Sequence, residues 1–104
     1  MAWAFLILAG LLEVGWAIGL KYSEGFTRPG ISIATVLTMI ASFLLLAQAL
    51  KSIPVGTGYA VWTGIGAAGT ALIGMAVLGE PREVGRIVCV ALILSGVVGL
   101  KVLG

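Results

Sequence analysis

The chain has 104 residues, 61% of them hydrophobic and 10% charged, with a formal net charge of +2 and a mean hydropathy of +1.22. Soluble domains carry charge on about a quarter of their residues, so this composition describes an integral membrane protein. Histidine is absent and there is one cysteine, which leaves no parts for a disulfide framework, a metal cluster or a catalytic triad. No cofactor, no enzymatic chemistry and no nucleic-acid partner is expected.

Four apolar stretches, about 2–20, 31–50, 57–78 and 86–103, each approach the ~20 residues a helix needs to cross the hydrocarbon core. They make residues 1–104 a single all-α, four-transmembrane-helix bundle with short connections. The first stretch lacks a basic leader and a clear cleavage site, so it is expected to be a span rather than a signal peptide. Its distinguishing residue is Glu13, an acid inside an otherwise apolar run. At ~1.5 Å per residue Glu13 lies about 16 Å into a core of ~30 Å, close to the midplane. An ionised acid at that depth costs on the order of 3 kcal/mol, so it is expected to face a bundle interior or an aqueous path. Gly10 lies about one turn before Glu13, and Trp16 lies three residues after it on the same face. Trp3 and Tyr22 stand near the two ends of the span, where interfacial aromatics gather.

The second stretch follows Pro29 and carries Ser42 as its mid-depth hydroxyl, with Gln48 nearer its end. The third follows Pro54 and places Tyr59, Trp62 and Thr63 in its first two turns. Its segment Gly64-Ile65-Gly66 reads either as a hinge or as a static packing face, because glycine serves both purposes in membrane helices. In the fourth stretch Ala91, Ser95 and Gly99 recur every four residues with Gly96 beside them, the small-residue stripe of closely packed membrane helices. That stripe serves either a dimer interface or packing within the chain. Cys89 reads as a small hydrophobe, and Lys101 as a side chain that snorkels from the helix end.

With four spans, Lys51, Lys101 and the terminal amine share one side, opposite Lys21, Arg28, Arg82 and Arg86. Orientation follows such counts, and the near balance permits insertion either way up. The alternative is that one extra positive charge fixes a single orientation. Two copies packed in opposite orientations would bring both Glu13 side chains to one level, where inverted repeats of many secondary transporters build their sites.

Glu13, Trp16, Ser42, Tyr59 and Trp62 together suit a cation. Aromatic faces attract cations, hydroxyls orient a carboxylate, and a carboxyl that holds either a proton or a cation couples the two gradients. The segments LLEVGWAIGLKYSEGFTRP, PVGTGYAVWTGIGA and SGVVGLK carry a further signal. Over essentially the whole chain they resemble the small multidrug resistance family, and within it the guanidinium-exporter subtype, on Trp16 and the TGYAVWTGIG run.

The resemblance implies a proton-coupled antiporter in the inner (plasma) membrane, working as an antiparallel, dual-topology homodimer. Its substrate would be guanidinium or a related guanidinyl cation, exported against two protons. Glu13 would bind protons and substrate alternately, surrounded by Trp16, Ser42, Tyr59 and Trp62, with Gly10 and Thr63 lining the site. Gly64 and Gly66 would mark the bend of the third helix, and Ala91, Ser95, Gly96 and Gly99 the dimer contact. Two other readings stand beside it. One is a broader exporter of quaternary ammonium compounds, since packing alone selects weakly by size. The other is a small structural or regulatory subunit whose Glu13 pairs with a basic residue in another chain.

Overall fold

The computed structural model describes residues 1–103, which form four α-helices: α1 Ala2–Tyr22, α2 Pro29–Ala49, α3 Val55–Ala76 and α4 Val84–Leu103. All four are long and apolar enough to cross a membrane, and the protein is a multi-pass membrane protein. Large apolar side chains such as Leu37, Leu44, Leu92 and Val98 point outward, as lipid-facing surfaces require. α1 lies against both α2 and α3, while the backbone of α4 approaches α3 alone. The Cα atoms fill a slab of 41 × 35 × 17 Å. With Cα atoms ~2.3 Å from each axis and packed axes ~8–10 Å apart, its thin dimension holds about two helix layers.

Helix boundaries differ from the expected spans by about two residues, for local reasons. α2 begins at Pro29 itself, because a proline at the first helical position gives up an amide that has no intrahelical partner anyway. α3 ends at Ala76 rather than at 78. There the amides of Val77 and Leu78 donate to the carbonyls of Ile73 and Gly74, at 2.8 and 3.1 Å. Gly79, at φ +75°, then turns the chain in a conformation that a Cβ would oppose. The Arg82 side chain donates from Nε to the Met75 carbonyl at 2.7 Å, supplying a cation where the helix dipole is negative.

The α1–α2 seam pairs glycine with threonine. A Cβ added at Gly19 would overlap Thr35 Oγ1, and one at Gly15 would lie 3.5 Å from Thr38 Cγ2. The two hydroxyls donate back to Ile31 and Ala34 carbonyls at 2.8 Å, so they remain satisfied inside the seam. Small residues of this kind allow the close backbone approach on which membrane helix packing depends. The small stripe of α4 is used differently. Ala91, Ser95 and Gly96 are exposed, and a Cβ added at Gly96 or Gly99 would meet no atom of the chain within 4 Å. Gly96 and Gly99 are thus not seats for any side chain among the described residues.

Candidate functional site

Glu13 projects from the middle of α1 onto α3 at Gly66. A Cβ added at Gly66 would overlap the carboxyl carbon and Oε1 of Glu13, so the carboxyl rests directly on the α3 backbone. Neighbouring positions repeat the pattern. A Cβ at Gly10 would lie 2.8 Å from Ile65 Cβ, and one at Gly69 would lie 2.5 Å from Val14 Cγ2. The room left by Gly10 is thus taken by Ile65 rather than left open beside the carboxylate. α3 runs as continuous α-helix through Gly64-Ile65-Gly66, with Gly64 against Val97 of α4 and Gly66 against Glu13.

Ser42 is fully buried. Its hydroxyl donates to the Ala9 carbonyl of α1 at 2.7 Å and accepts from Trp62 Nε1 of α3 at 3.0 Å. Three helices are thereby tied together one turn of α1 away from Glu13. The Ser42 proton goes to Ala9, not to the carboxylate. An aromatic file runs outward from this knot. Tyr59 and Trp62 have ring centroids 5.6 Å apart, Trp62 and Phe43 5.7 Å, and Phe43 and Trp16 6.1 Å. The two pairs of Phe43 are edge-to-face, and such pairs are worth about 0.5–1.5 kcal/mol each beyond their buried area.

Trp16, Tyr59 and Trp62 are thus linked through ring contacts that include Phe43, Ser42 is bonded to Trp62, and Glu13 meets α3 at Gly66, about one turn beyond Trp62. Thr63 is exposed and lies about 40° round α3 from Tyr59 and about 60° from Gly66. Phe43 is the residue that sequence reasoning missed. An aromatic in an apolar span carries no mark of its own, and only its contacts with both indoles single it out.

Two polar atoms of this face stand out. Glu13 Oε1 and Trp16 Nε1 are shielded and have no hydrogen-bond partner among the described residues. Leaving a buried polar group unpaired costs about 1–3 kcal/mol, more when it is charged. Such atoms in a native structure call for an explanation. Tyr59, by contrast, is 57% exposed and Phe43 46%, so the aromatic file is open at these two rings.

Four apolar helices with an acid in the middle of the first are the architecture of a small membrane transporter family, as comparison with known proteins shows. The family model described as Small Multidrug Resistance protein matches residues 1–93, and the chain belongs to that family. It is a transporter rather than an enzyme. Its relatives include the guanidinium exporter of Yersinia pestis, 60% identical over 101 residues that cover 97% of each chain. The guanidinium exporter of Escherichia coli (strain K12) is 56% identical over 101 residues, covering 97% of this chain and 96% of that protein. That of Salmonella thompson is 54% identical over the same length.

Proposed function

We propose that this protein is a proton-coupled antiporter that exports guanidinium, with Glu13 as the group that carries protons and substrate in turn. One observation carries the reading: Glu13 Oε1, from the middle of α1, is shielded and has no hydrogen-bond partner among the described residues. The names of the relatives support the choice of substrate.

Guanidinium is planar and presents paired N–H donors that match a carboxylate bidentately. A quaternary ammonium has no such donors and is held by aromatic and dispersion contacts alone. The flat aromatic face of Phe43, Trp62 and Tyr59 adds cation–π attraction to the carboxylate, which suits a flat cation stacked against it. Because Tyr59 and Phe43 of the aromatic file are exposed, the site is open within one chain, and a second copy inverted in the membrane completes it. Glu13 is near the middle of α1, so inversion keeps both carboxylates at one level. The exposed stripe of Ala91, Ser95, Gly96 and Gly99 supplies the close helix contact between copies.

Exchange then follows from competition. Both carboxyls take up protons while open to the outside, and the neutral pair permits reorientation. Facing the cytoplasm they release the protons and bind one guanidinium, which is carried outward. Proton and cation cannot occupy the same carboxylate together, and that exclusion is the coupling. Gly64 and Gly66 are the places where α3 bends as the two halves exchange conformations.

The test is guanidinium-evoked current in proteoliposomes, for wild type and Glu13→Gln, with tetramethylammonium as comparison. Current that prefers guanidinium and vanishes in Glu13→Gln is the expected result. A larger tetramethylammonium current would reassign the protein to drug export. Wild-type current in Glu13→Gln would remove the carboxylate from the mechanism.

A further inference from the structure

Thr70 of α3 carries a further shielded polar atom. Its Oγ1 has no hydrogen-bond partner among the described residues. A threonine or serine inside a helix has an acceptor at hand in the carbonyl four residues back. Thr35, Thr38 and Ser95 each use it, donating to Ile31, Ala34 and Ala91 at 2.8, 2.8 and 2.7 Å. Thr70 does not make the corresponding bond to the Gly66 carbonyl.

The Gly66 turn holds another acceptor. Thr70 follows Gly66 by four residues, about 40° round α3, and helical side chains lean towards the helix N-terminus, so Thr70 lies over the Gly66 turn. A side chain at residue 66 would be its neighbour, with Cβ atoms ~5–6 Å apart. Glycine has none, and the Glu13 carboxyl occupies that place, since a Cβ added at Gly66 would overlap its carboxyl carbon and Oε1. Thr70 therefore faces the Glu13 carboxyl as a residue faces its i−4 neighbour. One is a donor without an acceptor, the other an acceptor without a donor. The far side of α3 is already committed, because Ala68, roughly 160° round from Thr70, packs with Met75 and with Val90 of α4. Threonine has two accessible χ1 rotamers in a helix, so its hydroxyl can turn to the carboxyl with the backbone in place.

Resting on the reading of Glu13 as the substrate carboxylate, we propose that Thr70 is a positioning residue. Its hydroxyl donates to the ionised Glu13 carboxylate and fixes the plane in which the two oxygens meet guanidinium. Bidentate pairing depends on that plane, whereas a quaternary ammonium, with no N–H donors, is indifferent to it. Thr70 thus acts on selectivity as well as affinity.

The test measures guanidinium and tetramethylammonium affinity by calorimetry on the purified full chain, for wild type, Thr70→Val and Thr70→Ser. Valine keeps the shape and removes the hydroxyl. The expected result is a guanidinium Kd raised about twofold to twelvefold in Thr70→Val, the worth of one net hydrogen bond, with tetramethylammonium unchanged and Thr70→Ser close to wild type. Thr70→Ala carries the same expectation and takes the place of valine if that variant does not fold. Infrared spectra at alkaline pH give a direct signature: the carboxylate band that Glu13→Gln removes shifts in Thr70→Val and stays in place in Thr70→Ser. Wild-type guanidinium affinity in the folded valine or alanine variant, an equal loss for both cations, or an unshifted band would overturn the proposal and leave Glu13 as the carrier. Guanidinium binding that survives Glu13→Gln would overturn both.

Discussion

Replacing Gly66 by alanine separates two accounts of the same glycine. A Cβ at this position would overlap the Glu13 carboxyl carbon and Oε1 and lie 2.6 Å from Glu13 Cγ, so the acid must move. Alanine also favours the helix by about 1 kcal/mol over glycine. Overpacking costs about 1–3 kcal/mol, so the net loss of stability is only about 0–2 kcal/mol and the protein still folds. Binding is affected more. A hydrogen bond to a charged group contributes about 1.5–3 kcal/mol, and losing one to a displaced carboxyl raises Kd about tenfold to 150-fold. Gly64→Ala is the control, because its Cβ would meet the Val97 Cγ2 methyl at 2.7 Å and not Glu13. The assay is guanidinium titration of the purified protein by calorimetry, with thermal unfolding alongside. If the glycines act only as a flexible joint, both variants slow turnover and neither changes Kd. Wild-type affinity in a folded Gly66→Ala protein would refute the claim that Gly66 exists to seat the carboxyl.

Ser42→Ala leaves the Trp62 indole N–H without its acceptor, and stability is expected to fall by about 1–3 kcal/mol with a shift in tryptophan emission; unchanged unfolding and emission would show that the knot is incidental. Phe43→Ala removes two edge contacts worth about 1–3 kcal/mol together, so Tm falls and guanidinium affinity weakens while guanidinium is still preferred to tetramethylammonium. Apparent guanidinium affinity in the wild type is expected to fall as pH falls, because protons and cation compete for Glu13. The limiting slope is about tenfold per pH unit for each proton displaced. A Glu13→Asp protein that binds more weakly yet keeps the slope supports competition at the carboxyl, and a flat wild-type profile argues against it.

Much of this arrangement is legible in the chain itself, and what is not has a physical reason. The four spans follow from apolar length, and the depth of Glu13 from counting residues along a helix of known rise. Helix ends shifted by two residues because Pro29 and Gly79 act through backbone geometry, which hydropathy does not register. Small residues announce close approach but not the neighbour. Gly10 reads in sequence as a lining residue and meets Ile65 in the fold, and Gly66 reads as hinge or packing face and seats Glu13. The bond from Ser42 to Ala9 spans 33 residues, a pairing that only tertiary packing defines. Phe43 stayed silent because nothing local separates it from the leucines around it.

The isolation of α4 has a mechanical consequence. Its backbone approaches no helix but α3, and its side-chain link to α1 is Lys101 over Trp3. If a second copy grips α4, then α3 is the only rigid strut between that anchor and the acid on α1. Load passing from one protomer to the other must travel through the strut at Gly64 and Gly66, where glycine meets Val97 on one side and Glu13 on the other. A covalent clamp from α3 to α4 should therefore leave turnover intact, whereas one from α1 to α4 should stall it with guanidinium still bound.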